Sequence, residues 1–184
     1  DRQLPKIVAA IIGTNADLIG LVELENDGYG PDSAIQALVD ALNAATAPGT
    51  YAFIDVDAGT GQVNALGLDA IKVGMIYKPA SVIPIGTTAA LNSVEFVNGG
   101  DSDIRNRPAL AQAFQEISSG AQFVVSVNHL KSKGSACDIP DALDGQGNCN
   151  IVRTNAAPLL TEWLASDPPG INAADAIILG DLSS

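Results

Sequence analysis

Residues 122–133, QFVVSVNHLKSK, decide how the rest of this chain is interpreted. The first half of the stretch is rich in β-branched and aromatic residues, which predicts a β-strand. With a two-residue repeat, one face of that strand carries Phe123, Val125, Val127, His129 and Lys131. The pattern therefore predicts a buried strand that delivers an imidazole and an ammonium group to the rim of a sheet.

His129 is the only histidine in the sequence. A lone histidine at a strand end is often no more than a satisfied core residue, and a short motif is only a hypothesis. The residues of this stretch alone leave both interpretations open. Other parts of the sequence are needed to distinguish a structural from a chemical role for the imidazole.

The length of 184 residues suits one domain with a sizeable core, and 47 % hydrophobic residues argue against disorder. No apolar stretch is long enough to span a bilayer. The first residues, DRQLPK, lack the apolar segment of a signal peptide. If the protein is secreted, we expect the signal to have been removed or to lie upstream.

The net charge of −12 argues against a protein that coats nucleic acid, because phosphate contacts need lysine and arginine. The basic residues are nevertheless concentrated in one third of the chain: Arg105, Arg107, Lys131, Lys133 and Arg153. Such a local basic rim is sufficient to bind a phosphate group. It excludes a general polyanion binder.

The two cysteines, Cys137 and Cys149, lie in one loop rich in glycine and aspartate. This spacing predicts a disulfide and an oxidising compartment. Closing a loop of about 13 residues contributes roughly 3 kcal/mol in the chain-entropy model. Three aspartates of the same loop, Asp138, Asp141 and Asp144, are oxygen ligands suited to calcium but miss the EF-hand spacing, so a solvated loop is the simpler interpretation.

Hydrophobic periodicity predicts three helices and a larger number of strands. The predicted helices are 6–14, a helix opened by Pro31 with Ile35, Leu38, Val39 and Leu42 on one side, and 150–164. The predicted strands are 17–24 (buried on both faces), 51–56, 69–77, 82–85, a hairpin of 108–117 with 123–130, and 174–179. The stretch 91–103 is predicted to be a surface excursion, and Lys72 a solvated strand residue.

Alternation of apolar strands with helices indicates an α/β architecture with mixed sheets. Three predicted strands end in groups able to do chemistry: Glu23, His129 and Asp181. A single acid after a strand is usually a cap or turn residue. For Glu25 and Asn26, a turn role and a position near a bound metal both stay open. Three such strand ends together favour a site, because sites gather at strand ends in sheets covered by helices.

Three segments in this order carry a family resemblance: GLVELEND at 20–27, VNHLKSK at 127–133 and IILGDLSS at 177–184. They resemble the endonuclease/exonuclease/phosphatase family, which includes pancreatic-type deoxyribonuclease. The fuller pattern, with ENDGYGP, DAIKVGMIYKP, RPALAQAF, HLKSKGSAC and GQGNCN, is similar to the bacterial extracellular nuclease branch. The resemblance implies a four-layer α-β-β-α sandwich with two mixed sheets packed face to face and the helices outside.

The resemblance also implies roles for individual residues. Glu23 stands at the position of the family's magnesium-binding glutamate, with Mn²⁺ or Ca²⁺ as alternative ions. His129 stands where the family has a histidine that contacts the scissile phosphate, and Asp181 where an aspartate acts on the attacking water and leaving group. Arg107 occupies the position of an arginine that contacts phosphate, and Lys131 is a further phosphate contact because it shares the strand face of His129.

The sequence departs from the family pattern in one motif. The family has an asparagine two residues after the Gly-Asp aspartate, whereas Ser183 occupies that place here. A serine hydroxyl is shorter and lacks the paired donor and acceptor of an amide, so we expect weaker positioning of water or substrate.

Two further family elements, an early strand with an asparagine and a late Asp-His pair, are not found in residues 1–184. We therefore expect a single, incomplete domain that is inactive or nearly so by itself. Cleavage of plasmid DNA by the 184-residue chain, abolished by EDTA, would contradict this expectation.

The resemblance implies a secreted (extracellular or periplasmic), Mg²⁺-dependent nuclease that cleaves DNA or RNA. A phosphodiester gains negative charge at the transition state, which a cation held by carboxylates and fixed donors can stabilise. Two alternatives stay open: a phosphatase or phosphodiesterase acting on a small molecule or lipid headgroup, and a non-catalytic secreted binding module on the same fold. The sequence does not distinguish DNA from RNA, endo- from exonuclease, or the oligomeric state.

Overall fold

The computed structural model describes residues 3–173 and 175–183. Within them the helices are α1 Leu4–Thr14, α2 Ala34–Ala45, α3 Val56–Thr60, α4 Val94–Asn98 and α5 Asn150–Ala165. The strands are β1 Leu18–Glu25, β2 Ala52–Phe53, β3 Ile71–Tyr77, β4 Val82–Leu91, β5 Ala109–Glu116, β6 Gln122–His129 and β7 Ala176–Asp181. In this part of the chain no helix is long and apolar enough to cross a bilayer.

The strands form two sheets with the orders β1-β3-β2 and β4-β5-β6-β7. The pairs in the first sheet are antiparallel, whereas the second sheet is mixed because β6 and β7 run parallel. The sheets pack face to face over a core that includes Val73, Met75, Leu110, Phe114, Val125 and Val127. This core confirms that the face of β6 predicted to be buried packs against the opposite sheet.

Helices cover the outer faces of both sheets. The helices α1 and α2 pack on the first sheet through a cluster that includes Ile11, Leu38 and Ile76. On the other side, α4 and α5 form a cluster with Ala109 of β5 in the second sheet. The predicted four-layer α/β sandwich is therefore confirmed.

The helix α2 shows how local sequence determines one of these outer elements. Ser33 caps it by accepting a hydrogen bond from the backbone N–H of Gln36, which satisfies one of the unpaired donors of the first turn. Its buried residues are Ile35, Leu38, Val39 and Leu42, the side predicted to be apolar. Alternation of polar and apolar residues at helical spacing was sufficient to predict this element.

Three predictions about secondary structure are wrong in part. The stretch 91–103 contains α4, whose Phe96 is fully buried, so it is not only a surface excursion. The strand β1 lies at the edge of its sheet and leaves Val22 39 % exposed, so it is not buried on both faces. Val56 belongs to α3 rather than to a strand. Ala174, the predicted first residue of the last strand, lies outside the described residues.

Lys72 is not solvated as predicted, because its side chain is 1 % exposed. Its ammonium group donates a hydrogen bond of 2.7 Å to the carbonyl oxygen of Gly28 and lies 3.8 Å from the ring centroid of Tyr29. Burial lowers the pKa of Lys72, and nearby carboxylates only partly oppose this effect. The lysine thus ties the turn after β1 to the middle of the first sheet.

We expect Lys72→Met to lower the free energy of unfolding by about 1–2 kcal/mol, because the charged hydrogen bond and the cation–π contact are lost while the volume is kept. Urea denaturation at pH 7 measures the change. The matched control is Lys6→Met on the exposed face of α1, which should change little. An equally or more stable Lys72→Met would mean that desolvation of the ammonium outweighs both contacts.

The predicted disulfide between Cys137 and Cys149 is present. In the same loop, the carboxylate of Asp141 accepts a hydrogen bond from the backbone N–H of Cys149, and Asp144 accepts from Gln146 and Asn150. Asp138 accepts from the guanidinium group of Arg105. Asp141 and Asp144 therefore organise the loop through donors in it or next to it, whereas Asp138 ties the loop to Arg105.

Asp101 joins this loop to the segment that follows α4. One carboxylate oxygen accepts hydrogen bonds from the backbone N–H groups of Asp138 (2.7 Å) and Ile139 (3.0 Å), and the other accepts from Arg105 (2.8 Å). Burial acts to raise the pKa of Asp101, but these hydrogen bonds and one from Asp103 hold that pKa below its usual range. The carboxylate is thus stabilised in its charged form.

Because the pKa of Asp101 is lower in the folded than in the unfolded state, the unfolded state binds the proton more readily in acid. The stability that this carboxylate contributes is present above its ordinary pKa of about 3.9 and is lost as the pH falls towards the lower folded-state pKa. We expect the free energy of unfolding to decline more steeply below about pH 4 in the wild type than in Asp101→Asn. Parallel curves in urea titrations across this range would contradict the expectation.

Candidate functional site

Parallel pairing of β6 and β7 brings two predicted site residues together. His129 and Asp181 are register partners at the ends of these strands, and the backbone N–H of Leu130 donates to the carbonyl oxygen of Asp181 at 2.9 Å. Arg107 lies on the other side of β6, where its backbone N–H donates to the carbonyl oxygen of His129 at 3.0 Å. Backbone hydrogen bonds alone therefore hold these three residues together at the end of the sheet where β6 and β7 terminate.

Gly180 makes the close approach of β7 to β6 possible. A Cβ atom at this position would lie 1.9 Å from the carbonyl oxygen of Asn128, and its φ of +124° is one that side-chain-bearing residues rarely adopt. Sterics thus explain the glycine of the Gly-Asp pair, because only glycine allows β7 to approach β6 this closely. The next residue, Asp181, then carries the carboxylate at the strand end. Asn128 adds a hydrogen bond from its side-chain amide to the carbonyl oxygen of Leu179.

Glu23 occupies a bulge in β1. Leu21 pairs with Gly74 and Leu24 with Lys72, so β1 carries one residue more than β3 between these pairs. Glu23 has a φ of +56°, which is uncommon for a residue with a side chain, and its side chain is exposed. A bulge redirects a side chain out of the regular alternation, and such strained positions concentrate at functional sites.

The predicted residues Arg107, Asp181 and Glu23 all act electrostatically on the imidazole of His129. His129 is 5 % exposed, and burial lowers its pKa, with the guanidinium group of Arg107 acting in the same direction. The carboxylates of Asp181, Glu23 and Asp69 oppose this shift. Because the net effect lowers the pKa, the imidazole is neutral at pH 7 and has one N–H donor and one acceptor nitrogen.

Two polar atoms in this region have no hydrogen-bond partner. Among the described residues, the buried side-chain atoms without a partner are the hydroxyl of Tyr29, Nε of Arg107 and Nδ1 of His129. Two of the three thus belong to side chains predicted to contact phosphate. An unpaired buried polar group is costly and requires an explanation, which a bound ligand can provide.

The partner of Arg107 was not predicted from the sequence. Its guanidinium group forms an ion pair of 2.9 Å with Asp69, just before β3. The side-chain amide of Asn26 donates to the carbonyl oxygens of Gly67 and Asp69, so it holds this segment beside the end of β1. This contact is a tertiary one and not a bond within a turn. No local pattern marks Asp69, because its partner lies 38 positions away.

A second missed residue is Asn106, which is fully buried next to Arg107. Its amide nitrogen donates to the carbonyl oxygen of Phe96 at 2.8 Å, and its amide oxygen accepts from the backbone N–H of Lys131 at 2.9 Å. Asn106 therefore links α4 to the segment after β6. An asparagine before an arginine has no distinctive sequence signal of its own.

The remaining predicted residues lie close to this centre. The strand β6 ends at His129, so Lys131 follows it; its ammonium group donates to the hydroxyl of Ser135 at 3.0 Å. Burial and the nearby Arg105, Arg107 and Arg153 lower the pKa of Lys131. Ser183 donates to the carboxylate of Asp181 through its hydroxyl (3.1 Å) and its backbone N–H (2.9 Å). The hydroxyl thus orients that carboxylate.

The donor chemistry of Glu23 and Asp181 fits Mg²⁺. Both side chains are exposed carboxylates, and Mg²⁺ is usually bound through one or two carboxylates while it keeps several waters. In the described part of the chain, no three side chains of His, Cys, Asp or Glu are grouped closely enough to enclose an ion by themselves. The arrangement therefore suits an open, partly hydrated cation and not a closed structural site.

No protein-family model and no curated protein sequence matches this chain. Solved structures do match. An endonuclease/exonuclease/phosphatase family protein from Bacteroides thetaiotaomicron superposes with a TM-score of 0.67 at 17 % identity, covering 99 % of this chain and 55 % of that one. The chain has the endonuclease/exonuclease/phosphatase fold. The architecture implied by the sequence motifs is thereby confirmed, and the chain spans little more than half of the matched structure.

Two further structures with this likeness carry names that describe an activity or a ligand. A mannosyl-6-phosphatase of Bacteroides thetaiotaomicron has a TM-score of 0.65 at 17 % identity, with 99 % of this chain and 57 % of that chain covered. TDP2 of D. rerio, complexed with a single-stranded DNA product, has a TM-score of 0.55 at 12 % identity, with 98 % and 53 % covered. At these identities the comparisons establish the fold and leave the substrate open.

We expect Gly180→Ala to lower the free energy of unfolding by about 3 kcal/mol or more, because the added methyl group meets the backbone of Asn128 at a positive φ. Chemical denaturation measures the loss. The control is Gly13→Ala in α1, where an added Cβ has no neighbour within 4 Å; this change should stabilise the helix by up to about 1 kcal/mol. A Gly180→Ala protein as stable as the wild type would refute the close approach of β7 to β6.

Proposed function

We propose that the protein is a metal-dependent phosphodiester hydrolase, with nucleic acid as its substrate. The observation that carries this proposal is the convergence on one edge of the sandwich of Glu23, Asp181, Arg107 and His129, the last two with unpaired buried nitrogen atoms. Carboxylates that attract a cation, next to donors that attract an anion, are what a phosphate ester requires.

Each side chain has a defined part in the proposed mechanism. Glu23, with Asp181 near it, would hold Mg²⁺, which when bound neutralises charge on the phosphoryl oxygens. The neutral imidazole of His129 donates a hydrogen bond to a phosphoryl oxygen, where charge increases as the nucleophile attacks. Arg107 binds a second oxygen, and its ion pair with Asp69 fixes the orientation of its guanidinium group. Asp181 accepts hydrogen bonds from Ser183 and orients the attacking water through its carboxylate.

The choice of nucleic acid is supported by the motifs that resemble extracellular nucleases and by the fold shared with TDP2 bound to a DNA product. A second candidate is a phosphatase or phosphodiesterase acting on a small molecule. The net charge of −12 favours it, because a long polyanion is repelled by the rest of the surface. A comparison of hydrolysis rates with the full-length protein distinguishes the two candidates. The substrates to compare are DNA, RNA and small phosphodiesters.

A non-catalytic binding module is the third candidate, and Ser183 was the feature that favoured it. Its hydroxyl donates to Asp181, so it supports the carboxylate even though it lacks the amide of the family's asparagine. This contact favours the enzyme. The disulfide between Cys137 and Cys149 supports a secreted location, because such bonds persist in oxidising compartments.

The test compares two carboxylates of the same strand. In full-length protein with Mg²⁺, we expect Glu23→Gln to lower kcat/KM for phosphodiester cleavage by about 100-fold or more, because a ligand of the cation is lost. Glu25→Gln is the matched control: it removes another exposed carboxylate two positions away and should change kcat/KM less than about threefold. The same assay with Mn²⁺ in place of Mg²⁺, and with EDTA to remove the metal, tests whether cleavage requires a divalent cation.

His129→Gln should lower kcat by about 100-fold with a smaller effect on KM, because the donor acts mainly on charge that develops at the transition state. Absence of cleavage by wild-type protein with any divalent cation, together with absence of Mg²⁺ or Mn²⁺ binding, would refute the enzyme in favour of the binding module. Equal activity of the Glu23 and Glu25 variants would refute the assigned metal ligand.

A further inference from the structure

A cavity of about 370 Å³ adjoins the candidate site. It lies between the segment that precedes β3 and the segment that follows α4, and both Asp69 and Arg107 line it. The ion pair of these two residues forms its polar end, and the backbone of Arg107 is bonded to His129. The cavity therefore opens beside the place where the proposed function positions a phosphate.

The remainder of the lining is mainly apolar. Leu66 and Val97 contribute buried side chains, whereas Leu68 is 84 % exposed and Ile104 is 66 % exposed. Two large, exposed apolar side chains at the rim of one cavity are unfavourable in water and become buried when an apolar group binds between the segments that carry them. The cavity is thus suited to a ligand with one apolar part and one anionic part.

The size and polarity of the cavity restrict which apolar group of a ligand it can hold. A volume of about 370 Å³ lies at the lower end of the range for small-molecule pockets, roughly 300–1,000 Å³, so it holds one ring system and not a long acyl chain. The apolar side chains disfavour a bare sugar, which would lose its hydrogen bonds to water. Asn92 is also in the lining; its amide nitrogen donates to the carbonyl oxygen of Ala65 at 3.2 Å, and its amide oxygen can accept a hydrogen bond from the polar edge of a heterocycle.

We propose that this cavity is a nucleobase subsite, which holds the base of a nucleotide whose phosphate is bound by Arg107 and His129. The inference rests on the proposed function for the position of the phosphate and adds the recognised group. Asp69 repels a free anion, but its pairing with Arg107 directs the phosphate to the His129 side and leaves the cavity to the uncharged base. Substrates are then nucleotide esters recognised one nucleotide at a time.

The test measures binding and needs no catalysis. Isothermal titration calorimetry of full-length protein, without added metal, compares adenosine 5′-monophosphate, ribose 5-phosphate and hexyl phosphate. We expect the nucleotide to bind at least about tenfold more tightly than ribose 5-phosphate, because only the nucleotide fills the apolar cavity. Leu68→Ser should remove most of this difference without changing the affinity for ribose 5-phosphate.

Val63→Ser is the matched control, since Val63 is 86 % exposed on the same segment and does not line the cavity. It should leave all three affinities unchanged. Four outcomes would each overturn the subsite. The nucleotide and ribose 5-phosphate could bind equally, or hexyl phosphate could bind more tightly than the nucleotide. Leu68→Ser and Val63→Ser could lose equal affinity for the nucleotide, or no probe could bind at all. Selective nucleotide binding by a protein that cleaves no phosphodiester with any divalent cation would refute the proposed enzyme and leave the subsite intact.

Discussion

The parallel contact between β6 and β7 is the constraint on which the rest of the site depends. Strands that approach as closely as Gly180 and Asn128 leave no room for a side chain at one position, and the chain meets this condition with glycine. The same contact places Asp181 opposite His129. Because the backbone of Arg107 is hydrogen-bonded to the backbone of His129 from the other side, one strand end determines the position of three candidate site residues.

Burial then determines the chemistry of these side chains. An imidazole at the end of an apolar strand face is removed from water, and the neighbouring guanidinium group further disfavours its charged form. The carboxylates of Glu23 and Asp181 are exposed, so they stay accessible to a cation from the solvent. A buried imidazole and exposed carboxylates therefore lie within one small region. Their different exposure is the physical basis for the different roles proposed for them.

The strands and helices with regular periodicity could be predicted from the sequence. The alternation in β6 and the helical spacing in α2 identify these elements because each repeats over several turns or residue pairs. The helix α4 has only five residues, too few for a periodic signal. The burial of Lys72 depends on Gly28 and Tyr29 in a distant turn, so local pattern could not reveal it. The bulge at Glu23 contains no glycine to mark its positive φ. The pairing of Asp69 with Arg107 is likewise a product of the tertiary fold.

The distribution of cations bears on the proposal that so acidic a protein binds a phosphate ester. Arg153 donates to three backbone carbonyl oxygens, and Arg105 is engaged by Asp101 and Asp138. These two arginines are thus committed to the loop that the disulfide closes. Arg107 is paired with Asp69, and Lys131 follows His129 by two positions. In the proposed function these two cations bind one phosphate, and two cations neutralise a single phosphate better than they follow a long backbone. Under that proposal, discrimination comes from the group attached to the phosphate, and the apolar cavity beside Arg107 would contribute to it.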